Sequence, residues 1–562
     1  MLLLKDGWYY TDHPGPNKHF EPYRNKFRFS SKPETVVEVM EAIPKFAEEY
    51  NEIYEYNKRW VTALLRARKD YSGNTLNKYL KMKPMKHQVS SLYFSLSLPA
   101  CGLFLEPGLG KTYIALNNIV IRKALGKVKK ALVICPKSVM NVGWGADCSK
   151  FTDLKYTIIH DNYKPKFLCP ITKSIIKKIT KSHLKKCKMT QGDYLAKFPE
   201  AKSLIEKTPL DRLCGNYDVY ITSPEQVKKY RDYMMDFDIV ILDESTMIKN
   251  PNSQTSKAIH EVGQSSKYRI AMTGTPMTNR LEDLWSQMFF LDQSLGSSFN
   301  RYINEYFWVN PKYSFIRNPK SGASEIITSK IQDRVIVFKA EDCLDLPERV
   351  FCEREVPLSS NAERLYGTMN NELFLEHDDK VVSAKTFLEH VLKLQQLSNG
   401  FIFDNDGILG IIDECPPKVR EVRNILGETD KKAIIWTVFR RDVEVLMENL
   451  KDYNPVYINS SNVRDQEEIF KNNPDCRVAI VNPKSCKFGH TWNWAEITIY
   501  YSLSFSVEDY KQSVARNYRT GQTMPVTVYI LLGSPVDQQI WERVKSGRDF
   551  GDNVLEDMRR IR

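Results

Sequence analysis

What most constrains this chain is an alternation: short apolar runs followed by helical stretches recur from about residue 100 to 295 and again from about 430 to 535. Strands that alternate with helices in this way make parallel sheets covered by helices. In the first block the strand candidates are Gly102 to Glu106, Ala131 to Cys135, Asp218 to Thr222, Ile239 to Leu242 and Arg269 to Met272. In the second they are Ala433 to Thr437, Val456 to Asn459, Val478 to Val481, Ile497 to Tyr501 and Val526 to Leu532. Unbroken runs such as Ile239-Val240-Ile241-Leu242 fit strands buried on both faces. The expected class is α/β with two parallel-sheet lobes.

Three segments fall outside the alternation. Residues 1–75 are an N-terminal accessory region in which aromatic and basic residues interleave (Phe20, Tyr23, Arg24, Lys26, Phe27, Arg28). Two readings of it stay open: rings that stack on unpaired bases, or a buried β-hairpin. Residues 161–212 interrupt the first lobe, 76–295, and residues 296–345 are expected to link it to the second, 346–545, with a tail at 546–562. There is no internal repeat and no low-complexity tract.

Eleven cysteines, an odd number scattered along a long chain, do not have the spacing of a disulfide framework and point to a reducing compartment. No uncharged apolar run approaches the roughly 18 residues of a membrane span, and Lys5 and Asp6 follow Met1-Leu2-Leu3-Leu4 too soon for a signal peptide. The chain is therefore expected to be neither exported nor membrane-bound. Of the net charge of +12, nine units come from lysines between Lys164 and Lys188, where no acid occurs. Local positive charge suits a polyanion such as nucleic acid; a solvated lysine-rich helix is the blander alternative.

The strand candidate ending at Glu106 runs into Pro107-Gly108-Leu109-Gly110-Lys111-Thr112 and then a helical stretch. Glycines there let the backbone turn its N–H groups, with the helix N-terminus, toward a phosphate; Lys111 reaches the terminal phosphates and Thr112 holds Mg²⁺. The strict phosphate-loop pattern has a further glycine where this chain has Leu105. Downstream, Ile239 to Leu242 ends in Asp243-Glu244-Ser245-Thr246, which puts two carboxylates at the carboxyl end of a strand. Asp243 is suited to the Mg²⁺ shell and Glu244 to orienting and deprotonating an attacking water.

With these residues the chain resembles the superfamily two helicases and translocases, most closely the Swi/Snf-type and related phage DNA helicases, over roughly residues 80 to 540. The resemblance implies two RecA-like lobes, ATP with Mg²⁺, and a motor on nucleic acid. Met85-Lys86-His87-Gln88 is similar to the adenine-reading motif, with Gln88 as its glutamine. Leu132 to Ser138 resembles motif Ia and Ile221 to Glu225 motif Ib, so Lys137, Ser138, Thr222 and Ser223 are expected on a nucleic-acid backbone. Thr273-Gly274-Thr275-Pro276 resembles motif III, which links hydrolysis to lobe movement through Thr273 and Thr275. In the second lobe Ile434 to Phe439 resembles motif IV, and Lys484 to Ala495 resembles a thinned motif V that keeps Gly489. Gln512 to Gln522 matches motif VI, with Gln512 as a coupling residue. Arg516 and Arg519, three apart, would share one face of a helix and, by the resemblance, stabilise charge on the γ-phosphate from the opposite side of a cleft.

The lysine-rich insertion is similar to small bacterial and phage zinc-finger modules. Cys169, His183 and Cys187 are zinc-ligand candidates, but Thr172 stands where a second cysteine would be, and a structural zinc wants four ligands. The alternative is a finger-like fold without metal, presenting Lys177, Lys178, Lys185 and Lys186 to DNA phosphates.

The expected function is an ATP-dependent DNA helicase or translocase working on duplex, forked or branched DNA, as a monomer, in the cytoplasm of a bacterium or phage-infected host, with replication or recombination partners. RNA is the less favoured track. The rivals are an ATP-binding nucleic-acid clamp without turnover and the motor subunit of a nuclease complex.

Overall fold

The structure, a computed structural model, describes residues 3–5, 8–11, 21–23, 26–30 and 76–544, except 162–166, 169, 173–174, 177–180, 199–208, 275, 277–280, 310–316, 345, 373, 378–379, 384–386, 405–406, 460–461, 484–491, 505, 519–520 and 543. The chain divides into two compact units, one built on residues 1–339 and the other on 340–552.

At the start of the first unit, β1 (Leu3–Lys5), β2 (Trp8–Thr11), β3 (Glu21–Tyr23) and β4 (Lys26–Ser30) form an antiparallel sheet in the order β1-β2-β4-β3. The main sheet then begins with β5 (Ala100–Leu105), β6 (Ala131–Ile134) and β7 (Tyr156–Ile159). A two-residue pair, β8 (Phe167–Leu168) and β9 (Ile175–Ile176), falls in the lysine-rich insertion. The sheet resumes with β10 (Val219–Thr222), β11 (Ile239–Asp243) and β12 (Tyr268–Thr273); β13 (Phe307–Val309) and β14 (Arg317–Pro319) make a separate hairpin, and β15 (Val335–Phe338) completes the sheet. The seven strands lie in the order β15-β5-β12-β11-β6-β10-β7, and every neighbouring pair is parallel. Ile239, Val240, Ile241 and Leu242 are fully buried, as expected of a strand covered on both faces.

Of the segment expected to link the lobes, 296–345, residues 296–339 fall in the first unit and 340–345 in the second. It holds the helices Phe299–Tyr306 and Ala323–Ile331, and β15 pairs beside β5 with Val335 opposite Gly102. Tyr302, Ile303, Ile327 and Ile331 join the same core as Phe104 and Leu242, so burial of apolar surface holds this segment to the sheet.

The second unit has its own parallel sheet. Its strands are β16 (Arg349–Glu355), then β21 (Ala433–Trp436), β22 (Val456–Ile458), β23 (Val478–Val481), β24 (Ile497–Tyr500) and β25 (Val526–Leu532), in the order β16-β25-β24-β21-β23-β22. Between β16 and β21 lie two hairpins, β17 (Phe374–His377) with β18 (Lys380–Ser383) and β19 (Phe401–Phe403) with β20 (Leu409–Ile411). The period of two along each strand divides its core in half. Ile434, Trp436, Ala479 and Val481 pack on one face; Ala433, Ile435, Val478 and Ile480 pack on the other. Among the described residues, no helix is long and apolar enough to cross a membrane.

Candidate functional site

Three carboxyl strand ends lie side by side in the first unit. β5 leads into the glycine loop, β12 ends at Thr273 and β11 ends at Asp243, with β12 between the other two. Two strand spacings, about 9.6 Å, therefore separate the phosphate loop's strand from that of the acids. Ligands of open α/β sheets bind at such carboxyl edges.

Gly108 and Gly110 take φ of 91° and 75°, the left-handed region in which side-chain-bearing residues are disfavoured. Gly110 is the cap of the helix Lys111–Ala124, whose first N–H groups have no partners within the helix. Lys111 Nζ donates to the Leu105 carbonyl at 2.8 Å, holding the ammonium across the loop it follows. Behind the loop, Met85 N donates to Gln88 Oε1 at 2.9 Å, and Gln88 Nε2 donates to Leu109 O at 3.3 Å. Gln88 is buried, and it braces the loop from its rear in this structure; His87 Nε2 bonds the same Leu109 carbonyl at 3.0 Å.

Asp243 is held from two sides. Trp144 Nε1 donates to its Oδ2 at 2.8 Å and Glu244 N to its Oδ1 at 3.1 Å. Trp144 comes from a π-helical turn, Met140–Gly145, a wide coil that commonly marks functional positions. Burial pushes the Asp243 carboxyl above the usual carboxylate range, against the Trp144 bond, the Lys111 charge and the Glu244 N–H. A desolvated carboxylate of this kind, together with the Thr112 hydroxyl in the first turn of the helix Lys111–Ala124, fits in donor chemistry a hard divalent cation, which takes oxygen ligands and would offset the cost of burial. Glu244 itself adopts φ 51°, ψ 59°, an uncommon left-handed conformation for a non-glycine residue and one that concentrates at functional sites.

Beside the acids, Ser245 Oγ donates to Gln287 Oε1 at 2.7 Å, and Gln287 Nε2 donates to Pro276 O at 2.5 Å. One fully buried amide thus ties the turn after Glu244 to the Thr273-Gly274-Thr275-Pro276 loop. That loop in turn lies against the phosphate loop: a Cβ on Gly274 would stand 2.8 Å from Pro107 Cδ.

The profile of the SNF2-related domain family matches residues 53–401, well over half of the chain. The chain belongs to this family. It is a superfamily two helicase of the Swi/Snf type with the two-lobed RecA-like α/β fold. Similar to this SNF2-related chain is a protein of Acyrthosiphon pisum secondary endosymbiont phage 1, 26% identical over 58% of this chain and 73% of that one. An ATP-dependent helicase of Mycoplasma genitalium is 25% identical over 54% of this chain and 29% of its own. A Drosophila melanogaster SWI/SNF-related matrix-associated actin-dependent regulator of chromatin subfamily A-like protein 1 is 21% identical over 60% of this chain and 44% of its own. The chain thus spans less than half the length of those two relatives. Among solved structures, a Sulfolobus solfataricus SWI2/SNF2 ATPase core in complex with dsDNA is 20% identical, with 85% of this chain and 95% of that one covered and a TM-score of 0.38.

Other expected residues of the SNF2-related chain fall in different surroundings. Lys137 and Ser138 are exposed beyond the end of β6. Thr222 and Ser223 are buried, and Thr222 Oγ1 donates back to Ile159 O at 3.4 Å, so the carboxyl end of β10 turns these hydroxyls into the fold. Lys185 and Lys186 are exposed on the helix Lys181–Cys187, and Cys187 is buried. Cys169, the side chain of His183, Lys177 and Lys178 lie outside the described residues, as do Thr275, Gly489 and Arg519.

In the second unit the helix Val507–Val514 ends before Arg516. It sits in the turn beyond, with its N–H donating to Ser513 O and its own carbonyl accepting from Trp492 N at 2.8 Å. Arg516 and Gln512 are both buried. Asn517 Nδ2 donates to Thr498 Oγ1 at 2.8 Å, which pins the turn to β24.

Two contributors were not legible as such: Gln287, and Trp144 as a partner of Asp243. A lone amide within Leu284-Trp285-Ser286-Gln287-Met288-Phe289-Phe290-Leu291 was the available signal, because buried amides seek partners. Nothing in the spacing from Trp144 to Asp243 announces their contact.

Proposed function

We propose that this protein is an ATP-driven motor on DNA, hydrolysing ATP at the carboxyl edge of the first sheet and moving along duplex, forked or branched DNA. The observation that carries the reading is the Asp243-Glu244 turn, at the end of a strand with one strand between it and that of the phosphate loop, and locked by Trp144 and Gln287.

The loop N–H groups and Lys111 bind the phosphates of ATP; release of the ammonium from Leu105 O makes it available to them. Mg²⁺, when bound, neutralises charge on the phosphates, and Thr112 with Asp243 would hold it. Glu244 positions and deprotonates the attacking water. Arg516 and Arg519 are assigned to the γ-phosphate on the strength of their motif, where such arginines are worth on the order of 10³ to 10⁵ in rate. Lys137, Ser138, Lys185 and Lys186 bind backbone phosphates, a grip that is sequence-tolerant and sensitive to salt. The relatives named as helicases support the same reading.

ATP hydrolysis measured with single-stranded, duplex, forked and four-way DNA, and with RNA, tests the proposal. Stimulation by DNA above RNA is expected, and absence of stimulation by any nucleic acid would remove the motor. Glu244→Gln should bind ATP and not turn it over; robust hydrolysis by that variant would refute the base assignment.

A further inference from the structure

The peptide between Leu105 and Glu106, at the root of the phosphate loop, is bonded at both of its polar groups. Its carbonyl accepts from Lys111 Nζ at 2.8 Å, and its N–H, on Glu106, donates to Phe338 O at 3.1 Å. The two groups of a trans peptide point in opposite directions, and hydrogen bonds on one amide polarise each other. When Lys111 leaves Leu105 for a phosphate, the hold on Phe338 therefore changes. Phe338 is the last residue of β15 and pairs with Leu105 of β5. The first unit ends at the next residue, Lys339.

Beyond that boundary the chain is fastened a second time, now to the turn that carries Arg516. Tyr518 OH donates to Pro347 O at 3.0 Å, and the Arg349 guanidinium stands 4.6 Å from the centroid of the Tyr518 ring and 4.9 Å from that of Phe351. Arg349 and Phe351 are alternate residues of β16 and share one of its faces. A proline fixes its own φ at about −65°, so the carbonyl that Tyr518 holds belongs to a stiff stretch of chain. Asn517, between Arg516 and Tyr518, donates to Thr498 Oγ1 and, at 3.3 Å, to Ala495 O, so the turn is held from β24 as well. We propose that Tyr518 is a positioning residue for ATP hydrolysis: by holding Pro347 it ties the Arg516 turn to the segment 338–347, whose other end is bonded to the root of the phosphate loop. Each anchor lies within its own unit, and the covalent chain supplies the link. Placement of the arginine then follows the state of Lys111. The inference rests on the function proposed above in assigning Arg516 to the γ-phosphate.

The test uses the full chain, with steady-state ATP hydrolysis at saturating duplex DNA and thermal unfolding read beside it. Tyr518→Phe keeps the ring over Arg349 and removes only the hydroxyl. Its kcat should fall roughly three- to tenfold, with the KM for ATP and the unfolding temperature unchanged, because an interaction that acts only through the arginine is realised in the transition state. Arg349→Gln, which frees the face of the Tyr518 ring, should act in the same direction. A Gly-Ser-Gly insertion after Leu344 slackens the segment and leaves both anchors in place. It should cost a similar factor, and combined with Tyr518→Phe it should cost no more than either change alone. Wild-type kcat in both Tyr518→Phe and Arg349→Gln overturns the tie alone, and so does full additivity of Tyr518→Phe with the insertion. A kcat loss matched by a fall in unfolding temperature overturns it too, since Tyr518 would then be a structural residue. Undiminished hydrolysis by Arg516→Ala, or a wild-type chain that does not hydrolyse ATP, overturns the γ-phosphate assignment first and the tie with it.

Discussion

Trp144 donates its indole N–H to Asp243, 99 residues further along the chain, at 2.8 Å, and so couples the strand β6 region to the acid at the end of β11. The bond favours the ionised carboxylate, whose pKa burial raises. Trp144→Phe retains most of the packing and removes the donor, so the Asp243 pKa should rise further. A carboxylate needed in its charged form then requires a higher pH to ionise: the acid limb of the ATP-hydrolysis profile is expected to move upward, with activity at neutral pH falling several-fold. A profile that superimposes on the wild type would show that the bond does not matter to turnover.

Gln287→Met replaces the buried amide by a side chain of similar length and leaves Ser245 Oγ and Pro276 O without their partner. Loss of buried hydrogen bonds of this kind costs about 1–3 kcal/mol per stranded group. Because the amide joins the acid turn to the Thr273 loop, DNA stimulation should fall by a larger factor than basal hydrolysis. Equal losses in both would reduce Gln287 to a structural residue.

Gly274→Ala places a methyl group 2.8 Å from Pro107 Cδ and 3.4 Å from Leu105 O, and neither the proline ring nor the carbonyl can fold away. The two loops must separate. The KM for ATP is expected to rise with little change in unfolding temperature, as read by steady-state kinetics beside thermal denaturation.

How much of this was legible follows from what each residue touches. All ten strands expected from apolar runs occur, because burial on both faces leaves a run in the sequence that needs no partner to be recognised. β15 escapes notice although Val335-Ile336-Val337-Phe338 is such a run, since the polar stretch before it suggests a linker. β16 alternates instead of running apolar, as an edge strand does, and carries the weaker signal. Lys111, Asp243 and Glu244 stood out in the sequence because each adjoins a local signal, a glycine loop for Lys111 and the end of an apolar run for the two acids. Trp144 and Gln287 act across long sequence separations that only the folded sheet sets. Arg516 lies outside the helix that was expected to carry it because Ala515, at ψ 3°, has already left that helix.

Asp442 offers a pH signature in the second unit. Burial pushes its carboxyl up to about 6, against bonds from Thr437, Ser502 and Asn399 and the charge of Lys418. The folded value lies above the unfolded one, about 3.9, so the folded state binds this proton more tightly. The stability it contributes is full below about pH 4 and is lost as pH rises through about 6. Asp442→Asn should remove that component, flattening the dependence of second-unit stability on pH across this window. Hydrogen exchange of β21 and β24 amides, followed from acid to neutral pH, reads it.

Beside Asp442 lies a buried ion pair. Lys418 Nζ donates to Asp537 Oδ2 at 2.8 Å and to Asn399 Oδ1 at 2.9 Å, while Asn399 Nδ2 donates to Asp442 at 3.0 and 3.1 Å. The two charged side chains are 1% and 3% exposed, so solvent does little to soften the loss of either. Asp537 also accepts from Ser398 Oγ at 2.6 Å and Gly533 N at 3.0 Å, which makes it the residue that Lys418 neutralises at the end of β25. Lys418→Met strands this carboxylate and should cost about 3–5 kcal/mol, whereas an apolar replacement of both partners is often neutral or stabilising. The double variant Lys418→Met, Asp537→Leu is therefore expected to recover most of the loss, as read by exchange protection of β24 and β25 in the full chain. Additive losses in the two single variants, with no recovery in the double, would show that each side chain is held by its other partners and that the pair contributes nothing as a pair.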